Sequence, residues 1–273
     1  MPRYFLDIAF DGSSYCGWQR QPNGLAVQQV IEEALSLLFR TPISIVGAGR
    51  TDAGVNAYSL PAHVDIPETA KGTPYRWRKS LNGILPHNIN IRSIRPVQPS
   101  AHARFDAISR RYLYFIAEER DPFNRQWVLP VRPFPDIEKM NQAAQYLLGT
   151  HDFTSFSRLH TDTHTNICTI QEAFWSPSSY PSTWQFSITA NRFLRNMVRA
   201  IVGTLLEVGA STLAPEDIIE IIRAQDRNRA GASVRGEALF LAHVEYPKEI
   251  YLDSNIPQTD SSSSVFSSCK CNA

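Results

Sequence analysis

One stretch of this chain sets a guanidinium, a hydroxyl and a carboxylate in a row on a glycine-rich loop. These are Arg50, Thr51 and Asp52, within residues 47–58, which read Gly-Ala-Gly-Arg-Thr-Asp-Ala-Gly-Val-Asn-Ala-Tyr. Gly47, Gly49 and Gly54 supply the unusual dihedrals of a tight exposed loop. Such a loop after a strand often cradles phosphate, yet neither standard phosphate pattern fits. The third glycine of the dinucleotide pattern falls on Asp52, and Gly54 is followed by Val55 and Asn56 rather than by Lys and Ser or Thr. A carboxylate at that point also repels phosphate. The loop is therefore read as presenting Asp52 as a reactive group with Arg50 close by. A bare Asp-x-Gly turn needs neither that arginine nor three glycines.

An ionised carboxylate in a cleft needs a cationic partner to stay charged away from water. The spacing predicts a helix over residues 193–208, with Phe193, Leu194, Met197, Val198, Ile201 and Leu205 on its buried side. Arg192, Arg195 and Arg199 fall together on the other side, and Arg199 is the candidate partner for Asp52. Spacing alone leaves open that three helical arginines merely solvate a face. A strand over residues 104–116 carries Arg110-Arg111-Tyr112-Leu113-Tyr114, and alternation puts Tyr112 and Tyr114 on one side. They are either core tyrosines or an aromatic surface for a base taken out of its stack.

The elements that must position these groups alternate strand and helix. Strands are expected over residues 3–10, 43–46, 59–66, 89–97, 104–116, 168–175, 184–190 and 238–246. Helices are expected over residues 26–39, 74–85, 136–148, 193–208 and 215–224, with Gly149 as a stop signal. The order β-α-β-β-α-β over the first part suggests an α+β fold built on a ferredoxin-like, or split βαβ, half. The second part roughly repeats that economy. The division expected is residues 1–105, residues 106–247, and a polar tail over 248–273 that is not expected to fold.

With 273 residues and 43% hydrophobic content, the chain can bury one large core or two modest ones. The formal net charge of +1 does not announce a nucleic-acid partner, which would have to meet a local stripe of arginines. No apolar run is long enough to span a bilayer and no secretory pattern opens the chain, so a cytoplasmic protein with no membrane contact is expected. Cys16 and Cys168 are isolated, and Cys269 and Cys271 sit in the Ser-rich tail, so no disulfide framework is read. His160 and His164 have i, i+4 spacing but lie among Thr and Asp without apolar periodicity. A polar loop is expected there rather than a zinc site, and no metal is expected elsewhere.

Gly-Arg-Thr-Asp-Ala-Gly-Val-x-Ala at residues 49–57 resembles the signature of the tRNA pseudouridine synthase A family, whose aspartate is the essential catalytic residue. Gly-Trp-Gln-Arg-Gln at 17–21, Arg-Arg-Tyr-x-Tyr at 110–114 and Phe-Leu-Arg-Asn-Met-Val-Arg-Ala-Ile-Val-Gly at 193–203 are similar to further family motifs, in the family's order. Weaker matches are Leu-Asn-Gly-Ile-Leu-Pro at 81–86, Phe105, and residues 149–156, so the resemblance spans roughly residues 3–246. Asn56 stands where the family usually has His, and Glu237-Ala238 where it has Gly-Leu.

The resemblance implies two ferredoxin-like halves with a central cleft, a homodimer, and isomerisation of uridine to pseudouridine in the anticodon stem-loop of tRNA, without metal or cofactor. By the same resemblance Asp52 is nucleophile or general base, Arg199 pairs with it, and Tyr112 stacks on the uracil. Arg50 fills the gap left by the flipped nucleotide or holds a phosphate. Arg20, Arg78, Arg110 and Arg195, with Arg76 and Lys79, are read as contacts to the RNA backbone, a grip that weakens with salt. A non-catalytic RNA-binding module would use the tyrosines and arginines and leave Asp52 idle. A glycosidic hydrolase ordinarily wants two carboxylates, and no second acid sits in a comparable loop.

Overall fold

The computed structural model describes residues 1–158 and 165–252. The His160 and His164 pair and residues 253–273 lie outside them. Lys248–Ile250 forms a short helical turn with Ile250 buried, and Tyr251 bridges Val97, so residues 248–251 of the expected tail are folded. The chain runs β1 (Arg3–Phe10), α1 (Val27–Phe39), β2 (Ile45–Gly47), β3 (Asn56–Asp65), α2 (Pro74–Ile84) and β4 (Ile89–Pro96). It continues through β5 (Ser109–Ala117), β6 (Leu129–Pro130), α3 (Ile137–Gln145), β7 (Gly149–Asp152), β8 (Ile167–Pro177) and β9 (Thr183–Ala190). It closes with α4 (Met197–Gly209), α5 (Asp217–Ala224) and β10 (Leu239–Glu245).

Local chemistry accounts for the helix starts. Pro74 opens α2 with its fixed φ, and the Thr73 hydroxyl accepts the Arg76 N–H. Asp136 caps α3 by accepting the Lys139 N–H at 3.1 Å. On α1, Val27, Ile31, Ala34 and Leu35 are buried at helical spacing.

All ten strands join one mixed sheet in the order β4-β1-β3-β10-β5-β9-β8-β7, with β2 beside β3 and β6 beside β5. The last strand, β10, thus lies in the middle. It pairs antiparallel with β5 and parallel with β3, the latter over only Phe240↔Asn56 and Leu241↔Ala57. On one side of that seam the order is β4-β1-β3-β2 and on the other β10-β5-β9-β8, each entirely antiparallel. A core of Leu6, Ile8, Leu35, Leu60 and Leu81 fills the first side, and one of Met140, Phe156, Phe186, Ile201 and Val208 the second. Tyr112 packs against both. On the opposite sheet face, Phe115, Ala117 and Phe240 form a small aromatic cluster with Tyr58 and Tyr180, beside a cavity of about 330 Å³ that Trp127 also lines.

Four expected boundaries move by three residues or more. The helix predicted to residue 148 ends at Gln145, and Gly149 opens β7 instead of stopping it. The strand predicted from residue 104 begins at Ser109, because residues 102–107 close a hydrogen-bonded turn instead. The helix predicted from residue 193 begins at Met197, because Asn196 sits at φ 67° in the left-handed region and breaks the helical run. β3 starts at Asn56, inside the glycine loop, where its pairing with β10 extends it. The short strand β7 carries no alternating signal of its own and exists by pairing with β8. Among the described residues, no helix is long and apolar enough to cross a membrane.

Candidate active site

The loop between β2 and β3 carries Asp52, and its shape is set by close backbone approach. Trp18 donates its N–H to the Thr51 carbonyl at 3.2 Å, and Gly54 donates to Tyr15 O at 3.4 Å. Gly17 lies at φ +94°, and a Cβ there would stand 2.4 Å from the Thr51 carbonyl. A Cβ on Gly47 would strike the buried Trp18 indole at 2.7 Å. The Gly-Trp segment at 17–18 is therefore the floor on which the loop rests. Of the three loop glycines only Gly54 adopts a positive φ, and Gly49 has open space around it. The expectation that all three serve the backbone dihedrals is corrected accordingly.

From the far side of the seam come two arginines. Arg199 Nη1 lies 3.6 Å from Asp52 Oδ2 and Arg195 Nε lies 3.5 Å from Oδ1, so each carboxylate oxygen faces one guanidinium. Two guanidiniums thus face the charge of one carboxylate. Arg199 occupies the first turn of α4 and is fixed by donating its Nε–H to Val234 O at 2.6 Å, while its own carbonyl accepts the Val234 N–H. Residues 230–237 run across α4 closely enough that a Cβ on Gly203 would meet Ala232 O at 1.8 Å. The same strap then reaches the Asp52 loop. The buried amide of Asn56 accepts from Gly12 N–H at 2.8 Å and donates to Glu237 O at 2.7 Å. Asn56 and Glu237, the two departures from the family pattern, are thus in direct contact.

Tyr112 stands on β5 between the two cores, its ring edge-on to Phe193 at 5.1 Å. Burial pushes its phenol up to about 12; Arg110 opposes that shift and the Asp52 carboxylate adds to it. The ring is therefore neutral at working pH and within electrostatic reach of Asp52. Tyr114, on the same side, is fully buried and donates to Arg235 O at 3.2 Å, a structural role.

The remaining predicted arginines separate. Arg50 is exposed on the loop beside Asp52. Arg195, expected on the RNA backbone, pairs with Asp52 from the turn before α4, where helical spacing does not apply and gave no signal. Arg110 is half-buried and spends its guanidinium on backbone carbonyls. Its Nη1 donates to Ala107 O and Asn191 O at 2.9 and 2.7 Å, and its Nη2 to Arg104 O and Ala48 O at 2.6 and 3.4 Å. That guanidinium ties together the Asp52 loop, the turn before β5 and the turn after β9, and sequence reasoning missed this. Arg20 pairs with Glu32 of α1 at 3.6 Å, and Arg78 donates to Arg92 O at 2.9 Å. These two stay at the surface of the first half.

A family model described as tRNA pseudouridine synthase matches residues 8–106 and 143–247. The chain is similar to tRNA pseudouridine synthase A of Porphyromonas gingivalis, 50% identical over 252 residues covering 92% of this chain and 100% of that protein. With the protein of the same name in Parabacteroides distasonis the identity is 51% over 251 residues, covering 92% and 98%. That of Exiguobacterium sibiricum is 35% identical over 248 residues, covering 91% and 98%. On this evidence, with the Asp52 loop and its arginines in place, the chain belongs to the tRNA pseudouridine synthase family.

Proposed function

We propose that this protein isomerises uridine to pseudouridine in tRNA, with Asp52 as its catalytic residue. The reaction breaks the bond between uracil N1 and ribose C1′, turns the base and rejoins C1′ to C5, whose hydrogen leaves as a proton while N1 gains one. Nothing is oxidised or reduced overall. Whether the carboxylate works as nucleophile or as general base, toward ribose or uracil, it must be ionised and oriented at the start. The observation that carries the reading is Asp52 itself, a quarter exposed, with one guanidinium facing each oxygen and a neutral tyrosine ring within electrostatic reach. Tyr112 stacks on the extruded uracil, and exposed Arg50 fills the vacated stack or holds a phosphate.

The finer points follow from the same reading. The anticodon stem-loop is the substrate region, and the enzyme works as a homodimer in the cytoplasm, where tRNA is. The two antiparallel runs β4-β1-β3-β2 and β10-β5-β9-β8 support two ferredoxin-like halves, residues 1–105 and 106–247, with the site between them. Exposed basic residues such as Arg20 and Arg78 contact the RNA backbone.

The test is Asp52→Ala with tRNA tritiated at uridine C5. The enzyme reading expects wild-type protein to release tritium, and the variant to bind tRNA within about twofold of wild type with release reduced by on the order of 10³-fold or more. A variant that still turns over overturns the reading. Wild-type protein that binds without release makes this a binding module, and free uracil as product makes it a hydrolase.

A further inference from the structure

The turn ahead of β5 holds a large aromatic ring in water on a rigid support. Phe105 is 74% exposed, although burying such a side chain is favourable. Exposure alone says little, since single exposed apolar residues are common. The bracing beneath this one is what distinguishes it. His102 N–H donates to Asp106 Oδ2 at 2.7 Å, and Asp106 N–H returns to His102 O at 3.1 Å. The His102 ring accepts the N–H groups of Arg104 and Phe105 through Nδ1 at 3.1 and 3.3 Å. Ala103 donates to buried His63 at 3.1 Å and accepts from the Tyr246 hydroxyl at 2.5 Å. Arg110 takes the carbonyls of Arg104 and Ala107. Almost every backbone polar group of the turn is thereby spoken for, and the ring it presents adds nothing to either core.

Two groups flank the ring. His102 lies behind it, centroids 4.3 Å apart and planes 31° apart, and the Arg104 guanidinium sits 5.7 Å from its centroid. With 74% of its surface exposed, the ring still presents most of itself to solvent. The turn also adjoins the active site, because one nitrogen of Arg110 binds both Arg104 O and Ala48 O, the latter in the loop that carries Asp52. An exposed aromatic ring with a guanidinium over it and a second ring against it is the chemistry that takes up an unpaired nucleobase and its neighbouring phosphate.

We infer that Phe105, with Arg104, is a stacking site for a second base of the RNA strand, one adjacent to the uridine that Asp52 acts on. This rests on the tRNA substrate proposed above. Ring stacking is indifferent to which base is present, so the site anchors the strand without selecting its sequence.

The experiment compares Phe105→Ala, Phe105→Leu and Phe105→Trp with wild type, reading tRNA Kd, KM, kcat and Tm. Removing one base stack is expected to raise Kd and KM on the order of 10- to 100-fold for Ala and Leu, with kcat at saturation and Tm held. Trp is expected to restore wild-type Kd, and its added fluorescence to be quenched when tRNA binds. Kd and KM within twofold of wild type for Ala and Leu overturn the site, as does a Trp variant as weak as Ala. A wild-type protein that releases no tritium from tRNA instead overturns the underlying function, which keeps the two failures apart.

Discussion

The loop that carries Asp52 and the turn that carries Arg195 meet at the seam between the two cores, and they are held there by different means. On the carboxylate's side the constraints are backbone against backbone: Trp18 and Gly54 N–H groups on neighbouring carbonyls, and Gly17 pressed against Thr51. On the arginines' side they are side chains reaching across the chain. Arg110 holds Asn191 O, the Asn196 amide donates to Ser233 Oγ at 2.5 Å, and Arg199 holds Val234 O. Backbone constraints require glycine where no Cβ fits, so they leave a mark in the sequence. A long polar side chain looks the same whether it meets solvent or a distant carbonyl.

The most severe way to break the first arrangement is a single methyl group. In Gly17→Ala the added Cβ would stand 2.4 Å from Thr51 O at a φ of +94°, so the Asp52 loop must shift. A displacement of about 1 Å at a catalytic group costs on the order of 10²-fold in rate. Tritium release should fall by roughly that factor, with tRNA binding retained. Gly49→Ala is the control inside the same loop. It has no atom within 4 Å of the new Cβ and should stay within about twofold of wild type. Equal losses from the two variants would show that the loop is not set by the contact with Gly17.

The second arrangement is sharpened by its two arginines, which share one carboxylate but not one environment. The Arg199 side chain is 22% exposed and locked by Val234, whereas that of Arg195 is 56% exposed. A guanidinium in the drier place interacts more strongly and loses less on ordering, while exposed pairs are typically worth less than about 1 kcal/mol. Arg199→Ala should therefore lower kcat roughly 10- to 100-fold, and Arg195→Ala by about fivefold or less. Steady-state kinetics on saturating tRNA decides it. The reverse order would mean that Arg195 closes over the site when RNA binds and carries the larger share.

These contrasts also mark how far the sequence could be read. Period-two runs such as Arg3–Phe10 and the apolar stripe of Val27–Phe39 placed strand and helix within a residue, because each buries a face. The Asp52 loop was legible for its odd composition, and Tyr112 and Arg199 through resemblance more than spacing. What stayed hidden depended on tertiary partners. The start of α4 moved because Asn196 turns left-handed beside Ser233, 37 residues away. The bracing role of Arg110 left no mark because its four acceptors come from three separate segments. The central place of β10, paired with β3 over two residues, has no local signal at all.

The turn ahead of β5 offers the smallest of these effects and one with a definite sign. His63 is buried on β3, and its Nδ1 accepts the Ala103 N–H at 3.1 Å. Burial first, then the nearby charges of Arg3 and His102, push its imidazole down to about 4, against smaller opposing pulls from Asp65 and Asp106. The unfolded imidazole titrates near 6.5, so between these values the unfolded chain holds the extra proton. Stability contributed by neutral His63 is then complete above about pH 6.5 and is lost as pH falls toward about 4. Protonation also removes the acceptor for Ala103, which loosens the support beneath Phe105. In His63→Asn the amide oxygen can take the place of Nδ1 as acceptor without titrating. Thermal unfolding followed from pH 7 to pH 4 should show Tm of the wild type falling more steeply than that of the variant, and parallel curves would mean that other groups govern the acid limb.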